Sequence, residues 1–166
     1  MRASIRNDDR EIGTSIIRLD AGLDTGSVVA QKRIAVPQWP PRASELERIL
    51  TLESAELLIK ILPSWMKGEI DAHEQNNDVA TYCENFVKED GLLDLSGDPY
   101  QNLLKIRAFD TTVGTYAFFE RGGKQIRVGI IDAHLENKKL VVDVVKPEGK
   151  REMKYEEFLR SGARPM

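Results

Sequence analysis

Apolar residues along this chain keep two different periods, and the change falls near residue 114. Between Ser44 and Lys67, Leu46, Ile49, Leu50, Leu57, Leu58, Ile61, Leu62 and Trp65 recur at helical spacing, which predicts one long helix with an apolar face. Ser44 followed by Glu47 has the form of a capping box, Pro63 predicts a kink or restart, and Gly68 a C-terminal stop. Ahead of that helix, residues 14–19 and 28–36 are β-rich runs joined by Asp20-Ala-Gly-Leu-Asp-Thr-Gly26. The pattern predicts two strands linked by an acidic, Gly-rich turn. Residues 69–80 are polar and without period, so the domain boundary is expected there. Asp98 and Pro99 open a second predicted helix, to Phe109. From Gly114 the period becomes two. Tyr116–Phe119, Gln125–Ile131 and Leu140–Val145 read as three closely spaced strands, and residues 153–159 as a closing strand or short helix. Such spacing suggests a small antiparallel barrel or sandwich.

Composition narrows the chemistry more than the fold. The 166 residues carry 24 Lys+Arg and 27 Asp+Glu. Residues 1–96 hold 11 basic and 17 acidic side chains, and residues 97–166 hold 13 and 10, so an acidic front meets a mildly basic back. Apolar runs such as Leu57–Ile59 are far short of the ~20 residues a membrane span needs, and the charged N-terminus is no secretory signal. No membrane partner and a cytoplasmic location are expected. A single cysteine, Cys83, excludes an intrachain disulfide and reads as a small hydrophobe. His73 and His134 have no ligand-type neighbours, so no metal is expected. Walker, G-x-G-x-x-G and G-x-S-x-G motifs are absent, which leaves kinases, dehydrogenases and serine hydrolases without support.

Two places can carry chemistry. In the 20–26 loop, a carboxylate on a tight turn can meet a ligand close to backbone, although the same residues make ordinary structural turns. Its D-x-x-x-D spacing is not that of an EF-hand. In the back half, Arg107, Arg121, Lys124, Arg127, Lys150 and Arg151 surround the predicted barrel, with Tyr116, Phe118, Phe119 and Tyr155 as aromatics that can stack bases or fill the core. Interspersed acids allow an ordinary solvated surface equally well.

Five segments in order, G-T-S-I-I-R-L at 13–19, D-A-G-L-D-T-G at 20–26, L-L-I-K-I-L-P-S-W-M-K-G-E-I at 57–70, K-E-D-G-L-L-D at 88–94 and I-R-A-F at 106–109, together resemble methionyl-tRNA formyltransferase. The resemblance implies an α/β plus β chain: residues 1–70 as the end of a Rossmann-like formyltransferase domain, 71–96 as a linker, and 97–166 as an OB-like β-barrel domain that holds tRNA. It implies 10-formyltetrahydrofolate as formyl donor, with no metal, and initiator methionyl-tRNA as acceptor. Asp24 takes the place of the family's catalytic Asp, and Asp20, Gly22, Leu23 and Asp24 line the folate site. Arg107, Arg121, Lys124, Arg127, Lys150 and Arg151 become the tRNA contacts.

The family's other catalytic groups, an Asn and a His on an N-x-H motif, have no counterpart in these residues. They are expected upstream of Met1 or on a separate chain carrying the N-terminal half, and this chain alone is expected not to transfer formyl groups. Two strands and one helix would also leave sheet edges bare and the helix face half covered, with Leu46, Ile49, Leu58 and Ile61 in want of more sheet. Where the family commonly has P-W-P-G, this chain has Asp110-Thr-Thr-Val-Gly114, and Ser27 replaces a common Asp. A sugar-nucleotide formyltransferase portion and a non-catalytic RNA-binding module are the alternative readings.

Overall fold

The computed structural model describes residues 1–166. In chain order the elements are α1 (Arg2–Arg6), β1 (Ile12–Ile17), β2 (Val28–Ile34), α2 (Ala43–Met66), α3 (Pro99–Ala108), β3 (Thr115–Arg121), β4 (Lys124–Glu136), β5 (Lys139–Pro147), β6 (Met153–Lys154), α4 (Tyr155–Leu159) and β7 (Arg164–Pro165). The chain is α/β with antiparallel sheets. It divides into two compact units, one made of Met1–Asp9, Pro40–Ser44 and Asn85–Met166, the other of Arg10–Trp39 and Glu45–Glu84.

In the second unit, β1 and β2 form an antiparallel pair, with Ile12 opposite Ile34 and a register shift at Ile16/Ile17. The sequence places β1 two residues too far along and starts β2 at Val28, as found, but ends it two residues late; the hairpin is there. Helix α2 is tied to it by a Lys32–Glu53 ion pair and a Thr14–Ser54 hydroxyl bond. The expected buried face is only half covered. Leu46 is buried, whereas Leu58 and Leu62 each keep 43% of their surface exposed. Two strands are too narrow to cover a helix of 24 residues. The helix runs through Pro63 without a break and ends three residues later at Met66. The proline therefore removes one N–H in the last turn of the helix. Gly68 N donates to Trp65 O and Glu69 N to Ser64 O, the paired bonds of a Schellman stop.

In the first unit, the five-stranded sheet has the order β6-β5-β4-β3-β7. The edge strands β6 and β7 do not pair with each other, so the expected barrel is present here as an open antiparallel sheet. One face packs Ala117, Phe119, Val128, Ile130 and Val145 against Ile106 of α3, Phe158 of α4 and Leu93. The residues 153–159 supply both expected alternatives, a two-residue strand and then a helical turn whose Phe158 meets Phe119 edge-on at 5.2 Å. Asp98 caps α3 as its position predicts, accepting from Gln101 N at 2.8 Å. The 88–94 stretch is drawn onto the start of β3, Leu93 N donating to Tyr116 O at 2.8 Å. Gly91 makes that approach possible, since a Cβ there would stand 2.0 Å from Gly114 O.

Helix α1 leaves no signal in the sequence pattern. It buries Ile5, sets the Arg6 guanidinium 5.5 Å from the Phe86 ring centre, and is followed by Asp8, which accepts from Tyr100 Oη at 2.8 Å. The Ser44–Glu47 capping box is likewise replaced. Asp110 accepts from Ser44 N at 3.2 Å and bonds the Ser44 hydroxyl, so a residue 66 positions away caps α2.

Candidate functional site

The 20–26 loop is held from within and from behind. Asp20 is turned inward: its carboxylate accepts from Gly22 N at 3.0 Å and from Thr25 Oγ1 at 2.8 Å. This is an Asx-type turn, in which a short acidic side chain replaces backbone partners. Arg18 N donates to Ser27 O at 3.0 Å and extends the hairpin stem beyond β1. The stem is tight at Gly26, where a Cβ would lie 1.8 Å from Arg18 O. Asp24 takes the left-handed conformation, φ 56°, which a non-glycine residue holds at a cost of roughly 1 kcal/mol.

What holds it there comes from the stretch with no period. His73 pairs its backbone with Val28 through reciprocal bonds of 2.8 and 2.9 Å, an isolated antiparallel bridge at the start of β2. Two residues on, Gln75 Nε2 donates to Asp24 O at 2.8 Å and to Gly26 O at 2.7 Å. The loop backbone is thus clamped while the Asp24 side chain remains exposed. Leu19 and Leu23 flank it with 94% and 87% of their surface exposed, an unusual display of apolar area beside a carboxylate. Next to the stem lies an apolar recess of about 190 Å³, lined by Ile16, Ile17, Arg18, Val29, Leu58 and Trp65 among others.

Of the four residues expected to line a folate site, the structure presents Leu23 and Asp24 outward, whereas Asp20 and Gly22 are engaged in building the turn. Nothing in the sequence marks Gln75, which lies 51 residues from Asp24 in a segment read as linker. The side chain of His73 is exposed, and Cys83, read as a small hydrophobe, is exposed as well. No group of three or more His, Cys, Asp or Glu is placed to hold a metal ion.

The basic residues of the first unit fall into two groups. Arg121 and Lys124 face each other across the tip of the β3–β4 hairpin, Arg127 lies three residues further along β4, and Lys150 and Arg151 occupy the turn after β5; all five are exposed. Glu148 N donates to Arg127 O at 3.3 Å, which joins that turn to β4. Arg107 is different. Its guanidinium lies 3.5 Å from Asp132 and donates to Ala133 O at 3.3 Å. Arg42 approaches the same Asp132 at 2.6 Å. The β4–β5 register shifts at Asp132 place that carboxylate between the two arginines.

His134 Nδ1 lies 2.8 Å from Asp143. The hydrogen bond and charge of Asp143 raise the imidazole above its ordinary pKa. Asp94 is shifted the other way. Ser96 donates to its carboxylate from both side chain and backbone and lowers its pKa.

No protein-family profile matches the chain. Curated sequences do. The methionyl-tRNA formyltransferase of Coxiella burnetii (strain RSA 331 / Henzerling II) is 33% identical over 77% of this chain and 40% of its own length. That of Carboxydothermus hydrogenoformans is 29% identical over 95% and 57%. Among solved structures, methionyl-tRNA formyltransferase from Clostridium thermocellum superposes with a TM-score of 0.64 at 17% identity, covering 88% of this chain and 60% of that one. HypX from Aquifex aeolicus in complex with tetrahydrofolic acid gives 0.67 at 15%, over 95% and 31%. An N-formyltransferase from Helicobacter canadensis, bound to folinic acid and dTDP-3-aminofucose, gives 0.59 at 18%, over 81% and 48%. At these identities the superpositions speak for a shared formyltransferase-like fold. The chain spans about half the length of the curated relatives it matches, and over most of its own length it is a relative of the methionyl-tRNA formyltransferases.

Proposed function

We propose that this chain supplies the Asp-bearing loop and the tRNA-holding part of a methionyl-tRNA formyltransferase. In this reading residues 1–70 correspond to the end of the formyltransferase domain, 71–96 join the two parts, and 97–166 form an OB-like tRNA-binding domain. The observation that supports it most is the clamped 20–26 loop, whose backbone is fixed by Gln75 while Asp24 stays open to a ligand. A fixed loop with a free carboxylate is what positioned proton transfer needs.

The donor, 10-formyltetrahydrofolate, brings an activated one-carbon unit. Transfer makes a C–N bond to the α-amino group of methionine and breaks the bond to the folate nitrogen, and the one proton the amine gives up ends on that leaving nitrogen. Asp24 would receive or order that proton, directly or through a neighbouring base. The exposed Leu23 would give the ring of the donor an apolar neighbour. The recess beside the stem is smaller than the roughly 300–1,000 Å³ usual for ligand pockets. These residues therefore form one edge of a folate site. Arg121, Lys124, Lys150 and Arg151 would hold RNA phosphates, Arg127 would meet the RNA from its place over the Tyr116 ring, and Arg107 braces Asp132.

The N-formyltransferase structure bound to dTDP-3-aminofucose makes an amino-sugar nucleotide the competing acceptor. The experiment is equilibrium binding of the purified chain to initiator methionyl-tRNA and to dTDP-3-amino sugar, with labelled formyl donor added in a second step. The reading predicts tRNA binding, no sugar-nucleotide binding and no formyl transfer by this chain alone. Preference for the sugar nucleotide would reject the tRNA reading. Transfer at an enzymatic rate would reject the need for the Asn and His.

A further inference from the structure

The sheet of the first unit has a second face, opposite its core, that carries side chains of a different kind. Tyr116 on β3, Gly129 on β4 and Lys146 on β5 stand in register across three strands. Gly129 leaves the middle position bare, and a Cβ there would already press on Lys146 O at 3.3 Å. Arg127, two residues before Gly129 on the same face, lays its guanidinium over the Tyr116 ring at 3.7 Å from the centroid. The cation is thus paired with a ring, forms no ion pair with a carboxylate, and belongs to an exposed residue. The pocket they bound holds about 340 Å³, with Ile131 and Arg42 on its wall. Asp110 also lines it but is engaged by Ser44, and Arg42 is engaged by Asp132. Glu148 is the one further acid among the lining residues, which also include Arg127 and Lys146.

We propose that this face is a stacking platform for one unpaired nucleotide of an RNA. The inference rests on the tRNA-binding reading and deepens it. A flat guanidinium on an aromatic ring is a surface on which any base can stack, and a bare glycine floor beside it admits the ring edge. Lys146, across the gap, stands where the nucleotide's phosphate would be met by a point charge. An apolar peptide side chain would use the floor but leave both cations without a partner.

The test uses the full chain and two probes: a fluorescein-labelled single-stranded RNA hexanucleotide of mixed sequence, and whole initiator tRNA. The variants are Arg127→Lys, which keeps the charge and removes the plane, and Tyr116→Leu, which keeps bulk and removes the π-face. Each variant's melting curve is compared with the wild type first. Stacking predicts that Arg127→Lys and Tyr116→Leu each weaken the hexanucleotide about tenfold. The salt slope should stay unchanged in Tyr116→Leu. Wild-type hexanucleotide affinity in Arg127→Lys would show that charge alone matters and would overturn the platform. If the wild type holds tRNA but the hexanucleotide is indifferent to both changes, the platform falls and the tRNA reading stands. If the wild type holds neither RNA, both fall.

Discussion

Replacing Gln75 with alanine should loosen the Asp24 loop and little else. The side chain makes two hydrogen bonds, 2.8 Å to Asp24 O and 2.7 Å to Gly26 O. A net contribution of about 0.5–1.5 kcal/mol each, taken at the lower end because Gln75 is exposed, gives roughly 1–2 kcal/mol. The clamp works against the left-handed strain of Asp24, so its loss lets the loop sample other conformations. One to two kcal/mol is about a 5–30-fold rise in the open population. Amide hydrogen exchange reads this directly. The Gly22 and Arg18 amides, bonded to Asp20 and Ser27, should exchange faster by that factor, whereas the Val28 amide, held by His73 O, should change less. Gln75→Glu should behave like alanine or worse, because a carboxylate cannot donate to two carbonyls. Unchanged exchange at Gly22 and Arg18 in both variants would refute the clamp.

Other perturbations test the rest of the framework. Asp110→Ala removes the cap on α2 and should lower stability by about 1 kcal/mol in urea titration, while Glu47→Ala should not. Phe158→Ala empties a fully packed site against Phe119 and should cost the first unit about 3–5 kcal/mol, read as an earlier unfolding transition for that unit. The imidazole of His134 is raised by Asp143, so its contribution to stability is present below its ordinary pKa of 6.5 and fades as pH rises through the folded value. Asp143→Asn should bring the His134 titration down toward that ordinary value by NMR. Asp94 runs the opposite way: its stabilising bonds from Ser96 should hold above pH 3.8 and be lost on further acidification, and Ser96→Ala should raise its titration midpoint.

What the sequence discloses depends on how far apart the partners lie. The β1–β2 hairpin, the α3 cap at Asp98 and the Gly68 stop are local, since each is decided by residues within a few positions, and each is found nearly where the pattern places it. The three long strands are also legible, although the pattern shortens them because pairing continues past the apolar run. Arrangements settled by distant residues are not legible. Asp110 caps α2 across 66 positions, and Gln75 reaches Asp24 across 51. The segment 71–76 shows no period because its role is to supply backbone and one amide, neither of which leaves a hydropathy signal. The half-covered face of α2 follows from counting strands, since two cannot shield a 24-residue helix. Asp24 stands out through its motif, but Asp20, equally prominent, proves to be the brace of the turn.

The proposed function puts tRNA phosphates on the basic hairpin tip and turn of the first unit. Its most direct measurement is the affinity of the chain for initiator methionyl-tRNA between 50 and 200 mM salt. If Arg121, Lys124, Lys150 and Arg151 each meet a phosphate, log K should fall linearly with log salt at a slope of roughly −2.8 to −3.6. Replacing Lys124 and Lys150 by glutamine should make that slope shallower by nearly two contacts. A slope near zero, or no tRNA binding at low salt, would rule out phosphate contacts by these residues.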